Sequence, residues 1–245
     1  TVRLIVGTHA LLQDDVRFQR LGLVIVDEQH RFGVGQREVL SRKGGSADVL
    51  VMTATPIPRS LAMTLYGDLE VSTLDELPSG RSPVRTALRR SHQRPQVLEF
   101  VAQELAQGRQ AYFVYPMIDG EDEAGPLSSA TSAFDALSKG LLAGFDLRLL
   151  HGRMSSTEKS AVMSAFSRGE CQALVCTTVV EVGLDVASAT LMVVENADRF
   201  GLAQLHQLRG RVGRGGEAQV QAYCILIADP DNDDIAMQRL QVLCQ

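Results

Sequence analysis

Leu23-Val24-Ile25-Val26-Asp27-Glu28-Gln29-His30 is a β-branched apolar run that ends in two acids. Four consecutive apolar residues without alternation suit a strand covered on both faces, as in a parallel sheet. Working outward, Val2–Val6, Leu21–Val26 and Asp48–Met52 read as strands. Each is followed by polar or glycine-containing residues and then a helical pattern, the clearest being Pro58–Tyr66, entered through Pro56 and Pro58. The polar stretch Asp75–Pro83 reads as a linker. A second series follows, with strands expected at Val84–Leu88, Gln110–Tyr115, Asp146–Leu150, Gln172–Cys176, Thr190–Glu195 and Gln219–Ile227. Its helices are expected at Arg94–Ala106, Thr131–Leu142, Ser155–Ser167 and Leu202–Val212, and Asp119–Ser132 reads as a mobile surface insertion. Strands alternating with helices predict an α/β fold of two parallel-sheet units in tandem.

Composition narrows the class. The 245 residues carry 24 Lys and Arg against 29 Asp and Glu, a net charge of −5, with 45% hydrophobic and 22% charged residues. That balance excludes disordered and collagen-like chains. No apolar run approaches the roughly 20 residues of a membrane span. Cys171, Cys176, Cys224 and Cys244 form no CxxC pair, so zinc and redox roles have little support, and all four are expected to be small core residues. A cytoplasmic location is the expectation. Net acidity argues against coating nucleic acid by charge alone, while the uneven arginines allow a local basic groove.

The chemistry-bearing residues sit in loops after strands, where open α/β sheets bind ligands. An aspartate at a strand end, Asp27, can hold Mg²⁺ beside nucleotide phosphates, and Glu28 can orient or deprotonate an attacking water. Thr53 and Thr55 leave the Asp48–Met52 strand, where they can bond those carboxylates or cap a helix. In Gln207-Leu208-Arg209-Gly210-Arg211-Val212-Gly213-Arg214, three arginines are separated by glycines. They make no packing face, and their permanently charged forks suit phosphate. Gly7-Thr8-His9, His151-Gly152-Arg153 and Thr177–Asp185 are further small polar loops after expected strands.

Together, Asp27–His30, Thr53-Ala54-Thr55-Pro56, Thr177–Asp185 and Gln207–Arg214 resemble the motifs of superfamily 2 helicases. The longer strings Gly7-Thr8-His9-Ala10-Leu11, DEQHRFGV at Asp27–Val34, TATPIPR at Thr53–Arg59, Tyr66-Gly67-Asp68-Leu69 and Asp75-Glu76-Leu77-Pro78 resemble the RecG family. The resemblance implies two tandem RecA-like P-loop NTPase-type domains with parallel sheets. Residues 1–80 would be the C-terminal part of the first, truncated at its amino end, residues 81–230 the second, and 231–245 the start of a helical extension. It implies an ATP-dependent double-stranded DNA translocase, with ATP and Mg²⁺, that remodels stalled replication forks and recombination intermediates. Branched DNA would be its partner, a single-stranded DNA-binding protein a further one, and a monomer its working form.

Residue by residue, the resemblance makes Asp27 the Mg²⁺ ligand, Glu28 the catalytic base and His30 a coupling residue between ATP and DNA. Thr53 and Thr55 would link hydrolysis to domain movement. Gly183 and Asp185 would approach the nucleotide from the second domain. Arg211 and Arg214 would reach the γ-phosphate as arginine fingers, supported by Gln207. Thr8, His151, Arg153 and Thr177 would contact the DNA backbone, and Arg209 has no assigned role.

No GxxxxGK[ST] phosphate loop occurs; Ser41–Ser46 (SRKGGS) and Leu137–Leu141 (LSKGL) have the wrong order. With Thr1 in place of an initiator Met, the expectation is the central part of a longer motor, inactive by itself, whose first unit exposes apolar surface. Two other readings compete. One is a translocase like the transcription-repair coupling factor Mfd, acting on RNA polymerase, against which Gln29 and the YGDL…DELP strings argue. The other is a non-catalytic nucleic-acid-binding remnant, against which retention of Asp27, Glu28, Arg211 and Arg214 argues.

Overall fold

The computed structural model describes residues 3–13, 15–28, 47–53, 70–74, 76, 83–116, 125–177, 186, 188–215, 220–229 and 234–244. The chain divides into two compact units, Thr1–Val71 and Ser72–Gln245. The boundary expected at 80/81 lies outside the described residues, as does the helix expected at Pro58–Tyr66.

In the first unit, β1 (Leu23–Val26) and β2 (Asp48–Val51) pair in parallel, Leu23 opposite Asp48 and Val26 opposite Val51. Backbone bonds from Asp48 to Gly22 (3.1 Å) and from Met52 to Val26 (2.8 Å) extend the ladder. Val26 is buried, but Leu23, Ile25 and Leu50 are about half exposed, which is the apolar surface expected of this unit. Val2–Val6 requires correction: residues 3–7 form no strand, and Leu4 and Val6 are 78% and 87% exposed. β-Branched composition favours an extended chain, but a strand also needs a neighbouring backbone to pair with.

Among the described residues, the second unit forms a six-stranded, wholly parallel sheet. Its strands are β3 (Arg85–Arg89), β4 (Gln110–Val114), β5 (Leu147–Leu150), β6 (Ala173–Cys176), β7 (Ala189–Val194) and β8 (Tyr223–Ile227), in the spatial order β3-β8-β7-β4-β6-β5. The helices are α1 (Arg94–Ala106), α2 (Gly125–Lys139), α3 (Ser156–Ser167), α4 (Leu202–Arg209) and α5 (Asp234–Val242). Period-two alternation splits the core in two. Tyr112, Val114, Leu174, Met192 and Leu226 pack with Phe166 of α3, Leu205 and Leu208 of α4 and Leu240 of α5. Phe113, Val175, Leu191, Val193 and Ile225 pack with Val101 and Leu105 of α1 and Leu137 of α2. Near-continuous apolar strands in the sequence thus reflect helices on both faces.

Local chemistry sets several boundaries. Ser155 caps α3: its hydroxyl accepts from the Glu158 N–H (3.2 Å) while the Glu158 carboxylate accepts from the Ser155 N–H (2.7 Å). α2 begins before the expected Thr131 and absorbs residues 125–132 of the expected insertion, because Ala130 and Leu137 are buried against the sheet. Residues 119–124 lie outside the described ones. β8 begins at Tyr223; the described residues 220–222 before it lie outside the strand, where the Gln221 side chain donates to Pro83 O (2.7 Å), and Gln219 lies outside the described residues. Cys171, Cys176 and Cys224 are buried free thiols as expected, and burial pushes Cys224 up to about 12. Cys244 is exposed, a correction to the reading of all four as core residues.

At the amino end of the sheet, the buried Gln110 amide donates to Phe166 O and to Cys171 O, each at 2.7 Å, and Ser188 donates to its carbonyl oxygen. One side chain thereby ties β4 to the end of α3 and to the approaches to β6 and β7. Gln110→Leu leaves two carbonyls and a hydroxyl without that partner and should cost about 3 kcal/mol. Urea unfolding checks this; a loss under about 1 kcal/mol would contradict the role.

Candidate functional site

In the first unit, the chain leaves β1 through Asp27, which is exposed, and Glu28, which is half-buried. Glu28 stands at φ +52°, in the left-handed region where a residue with a β-carbon is uncommon. Its N–H donates to Asp27 Oδ1 at 2.8 Å, so the first carboxylate braces the turn that presents the second. Such backbone strain is concentrated at functional sites. Thr53 is partly buried and leaves the carboxyl end of the adjacent β2, as Glu28 leaves that of β1. Thr8 is exposed and precedes a short 3-10 turn, His9–Leu12; its carbonyl accepts from the Leu11 N–H (3.0 Å), and its side chain makes no capping bond. His30 and Thr55 lie outside the described residues.

In the second unit, His151 follows β5 and Thr177 follows β6, neighbouring strands whose ends are joined by the Thr177 N–H to Leu150 O (3.3 Å). Thr177 is 3% exposed and its hydroxyl is enclosed, so in this arrangement it is covered rather than presented to a ligand. Arg153 is exposed on the loop after His151, and Lys159 closes that loop by donating to Gly152 O (2.7 Å). Gly183 and Asp185 lie outside the described residues.

The same end of the sheet holds a group that sequence reasoning missed. Arg94, at the start of α1, donates through Nε to Glu195 Oε1 (2.6 Å) and through Nη2 to the Tyr115 hydroxyl (3.3 Å). Tyr115 and Glu195 follow β4 and β7, the central pair of strands. Burial, then the Glu195 charge, raises the Tyr115 phenol well above its ordinary value. Only the placement of Tyr115 and Glu195 as the last residues of expected strands hinted at this group; their pairing with Arg94 is a tertiary event.

The arginine segment lies at the opposite end. After Glu195 the backbone passes through Asn196 (φ +50°) and a short turn, and α4 runs back along the sheet for about 12 Å. The Gly213 N–H donates to Ala189 O (3.1 Å), at the amino end of β7. Arg211 and Arg214 flank that anchor on the turn that follows α4, which corrects the expectation that the chemistry-bearing residues all sit in loops after strands. The reason is topological: a helix between two parallel strands returns the chain to the sheet's amino end. Val212, between the arginines, is fully buried, and Arg214 Nε donates to Gly210 O (2.6 Å). Gln207 is half-buried on the last turn of α4.

Arg209 is the structural member of the three. It donates to Leu243 O (3.2 Å) beyond α5 and contacts His206 Nδ1 (3.3 Å). Burial, and then the Arg209 charge, holds His206 below its ordinary value. Gly213 has no substitute: at φ +73° its added β-carbon would stand 2.9 Å from the Ala222 β-carbon. Gly213→Ala should cost about 2–3 kcal/mol through strain and overlap. Thermal unfolding checks it, and an unchanged midpoint would show the turn adapts.

Comparison with known proteins adds what geometry alone does not. Residues 1–64 match the DEAD/DEAH box helicase family and residues 95–216 the helicase conserved C-terminal domain. The chain is 53% identical over 242 residues to the ATP-dependent DNA helicase RecG of Synechocystis sp., covering 99% of this chain and 28% of that protein. Against the Thermotoga maritima RecG it is 53% identical over 240 residues, covering 98% and 30%, and against the Bacillus subtilis RecG 49% over 244, covering 100% and 35%. A structure of RecG bound to a three-way DNA junction is 50% identical, with a TM-score of 0.71, over 98% of this chain and 30% of that one. A point variant of S. cerevisiae Dbp5 bound to RNA and ADP BeF3, at 15% identity and a TM-score of 0.63, shares the fold alone. The chain spans about a third of the length of the curated relatives it matches. With RecG proteins aligned along nearly all of its residues and helicase families matched in both units, the chain belongs to the RecG family of superfamily 2 helicases.

Proposed function

We propose that the full-length protein is an ATP-driven double-stranded DNA translocase that remodels branched DNA in repair and recombination. The observation that carries this reading is the identity to RecG proteins over nearly the whole chain, one of which is held on a three-way junction. The donor chemistry fits Mg²⁺: Asp27 is an exposed hard carboxylate at a strand end, and Mg²⁺ takes one or two carboxylates with phosphate and water completing its shell. When bound, the ion supplies charge neutralisation on the phosphates of ATP.

Each residue then has a task. Asp27 holds the ion and braces the turn, and Glu28 orients the attacking water and accepts its proton. Arg211 and Arg214 stabilise the charge that builds on the transferred phosphoryl group, with Gln207 holding them. Gly183 and Asp185 meet the nucleotide from the second unit. Thr53, Thr55 and His30 pass the state of the ATP site to DNA contacts at Thr8, His151, Arg153 and Thr177. For Thr177 this requires its enclosed hydroxyl to become exposed. Release of the arginines after hydrolysis lets the two units step along the strand.

The same proposal includes a monomeric motor in the cytoplasm, with a single-stranded DNA-binding protein as a partner at forks. Among the described residues no helix is long and apolar enough to cross a membrane. ATP turnover by the full-length protein should rise more with a three-way junction or fork than with linear duplex of equal length. Equal stimulation by both would remove the branched-DNA part, and no stimulation by DNA would remove the translocase reading.

A further inference from the structure

A basic turn at the margin of the second sheet is used by none of the roles above. Arg89, Arg90, Ser91, His92, Gln93 and Arg94 place four basic residues in six positions of a chain whose net charge is −5. Arg94 turns inward to Glu195, whereas Arg89, Arg90 and His92 are exposed. Three backbone N–H groups pin the turn. The Arg90 N–H donates to Gln93 Oε1 (3.0 Å), the Ser91 N–H to both Asp229 oxygens (3.1 and 3.2 Å), and the Ala228 N–H to Arg89 O (3.0 Å). The two arginines therefore stand exposed on a backbone stitched to the end of β8, with Arg89 Nη1 donating to the neighbouring Leu88 O (2.9 Å). Asp229, which also faces Arg90 and His92, has its carboxylate held low first by the Ser91 bond.

Position selects the partner. The turn follows β3, and His151 and Arg153 follow β5; these are the two outer strands of the sheet, and both groups leave carboxyl ends. Five strand spacings of about 4.8 Å separate them, about 24 Å, a length comparable to about seven base-pair rises of duplex. Among described residues 83–93 no large hydrophobic side chain is exposed, so there is no apolar anchor of the kind a bound peptide uses. Exposed guanidinium groups on a fixed turn suit phosphate oxygens.

We propose that Arg89 and Arg90, with His92 beside them, form a phosphate-contacting surface that extends the DNA track across the carboxyl edge of the second unit to its β3 margin. This rests on the reading that the protein binds DNA. The experiment compares the full-length protein with its R89A/R90A variant, binding fluorescent forked DNA over a series of salt concentrations. Loss of two phosphate contacts should lower the slope of log affinity against log salt by about 1.8 and weaken binding at least 10-fold at low salt. ATP turnover without DNA should be unchanged, while more DNA is needed for half-maximal stimulation. R89K/R90K, which keeps both charges, should restore most of the affinity. Equal slopes and affinities for the variant and the unaltered protein overturn the surface alone. Failure of the unaltered protein to bind DNA overturns the functional reading and the surface with it. Loss of binding to a polyglutamate probe with an unchanged DNA slope assigns the turn to an acidic protein partner and overturns the proposal.

Discussion

Arg211→Ala should lower ATP turnover by the full-length protein about 10³-fold or more, with little change in fold. In related phosphoryl-transfer systems an arginine finger contributes 10³–10⁵-fold to the rate, because a guanidinium meets charge that develops only in the transition state. A fall of about 10³ corresponds to about 4 kcal/mol of lost transition-state stabilisation. The fold is insulated because the turn is anchored by its neighbours: Val212 is buried and the Gly213 N–H bonds Ala189 O, while Arg211 itself is partly exposed. Lysine at 211 should recover little, since it keeps the charge but not the planar fork. Single-turnover hydrolysis under saturating ATP measures the chemical step directly. A fall below 10-fold would take Arg211 out of the site, and a matching loss in thermal midpoint would make its part structural.

Glu28→Gln should reduce turnover about 10²–10⁴-fold while ATP binding holds, because the amide keeps the shape but cannot accept a proton. The side chain stands on a turn already forced to φ +52° and braced by the Asp27 carboxylate, and glutamine adopts that backbone as readily as glutamate. Folding should therefore be indifferent to the change. The measurement is kcat alongside the dissociation constant of a fluorescent ATP analogue. Retained turnover would transfer the proton-accepting task elsewhere, and loss of nucleotide binding with it would make Glu28 a binding residue.

Much of this was open to inspection in the chain itself, and for particular reasons. β4, β6 and β7 announce themselves because strands covered on both faces carry near-continuous apolar runs, as Tyr112, Phe113, Val114, Leu174, Val175, Met192 and Val193 do. The cap at Ser155 is legible because Ser-x-x-Glu is a local device whose two bonds span three residues. Asp27 and Glu28 are legible because a strand ending in paired acids has few packing uses. Val2–Val6 misleads for the complementary reason: strand composition is local, whereas a strand exists only by pairing with another segment. The early start of α2 is a failure of the same kind, since Ala130 and Leu137 find their apolar cover only when the sheet is assembled.

By itself, then, the order of residues determined the class of fold, the strand-end position of Asp27, Glu28, His151 and Thr177, and the arginine-rich turn after α4. These follow from periodicity, from caps and from charge, which act over a few residues. Only the tertiary structure decided which of those groups share an end of the sheet. It carried Arg211 and Arg214 to the amino end through the return of α4, enclosed the Thr177 hydroxyl, and brought Arg94 onto Glu195 and Tyr115 from 101 and 21 residues away. It also tied Arg209 to the chain just beyond α5, at Leu243 O, while Arg214 in the same motif stayed exposed. The physical reason is that burial and pairing belong to the assembled sheet. A side chain's chemical type is written in the chain, but the groups that face it are supplied by segments distant in sequence.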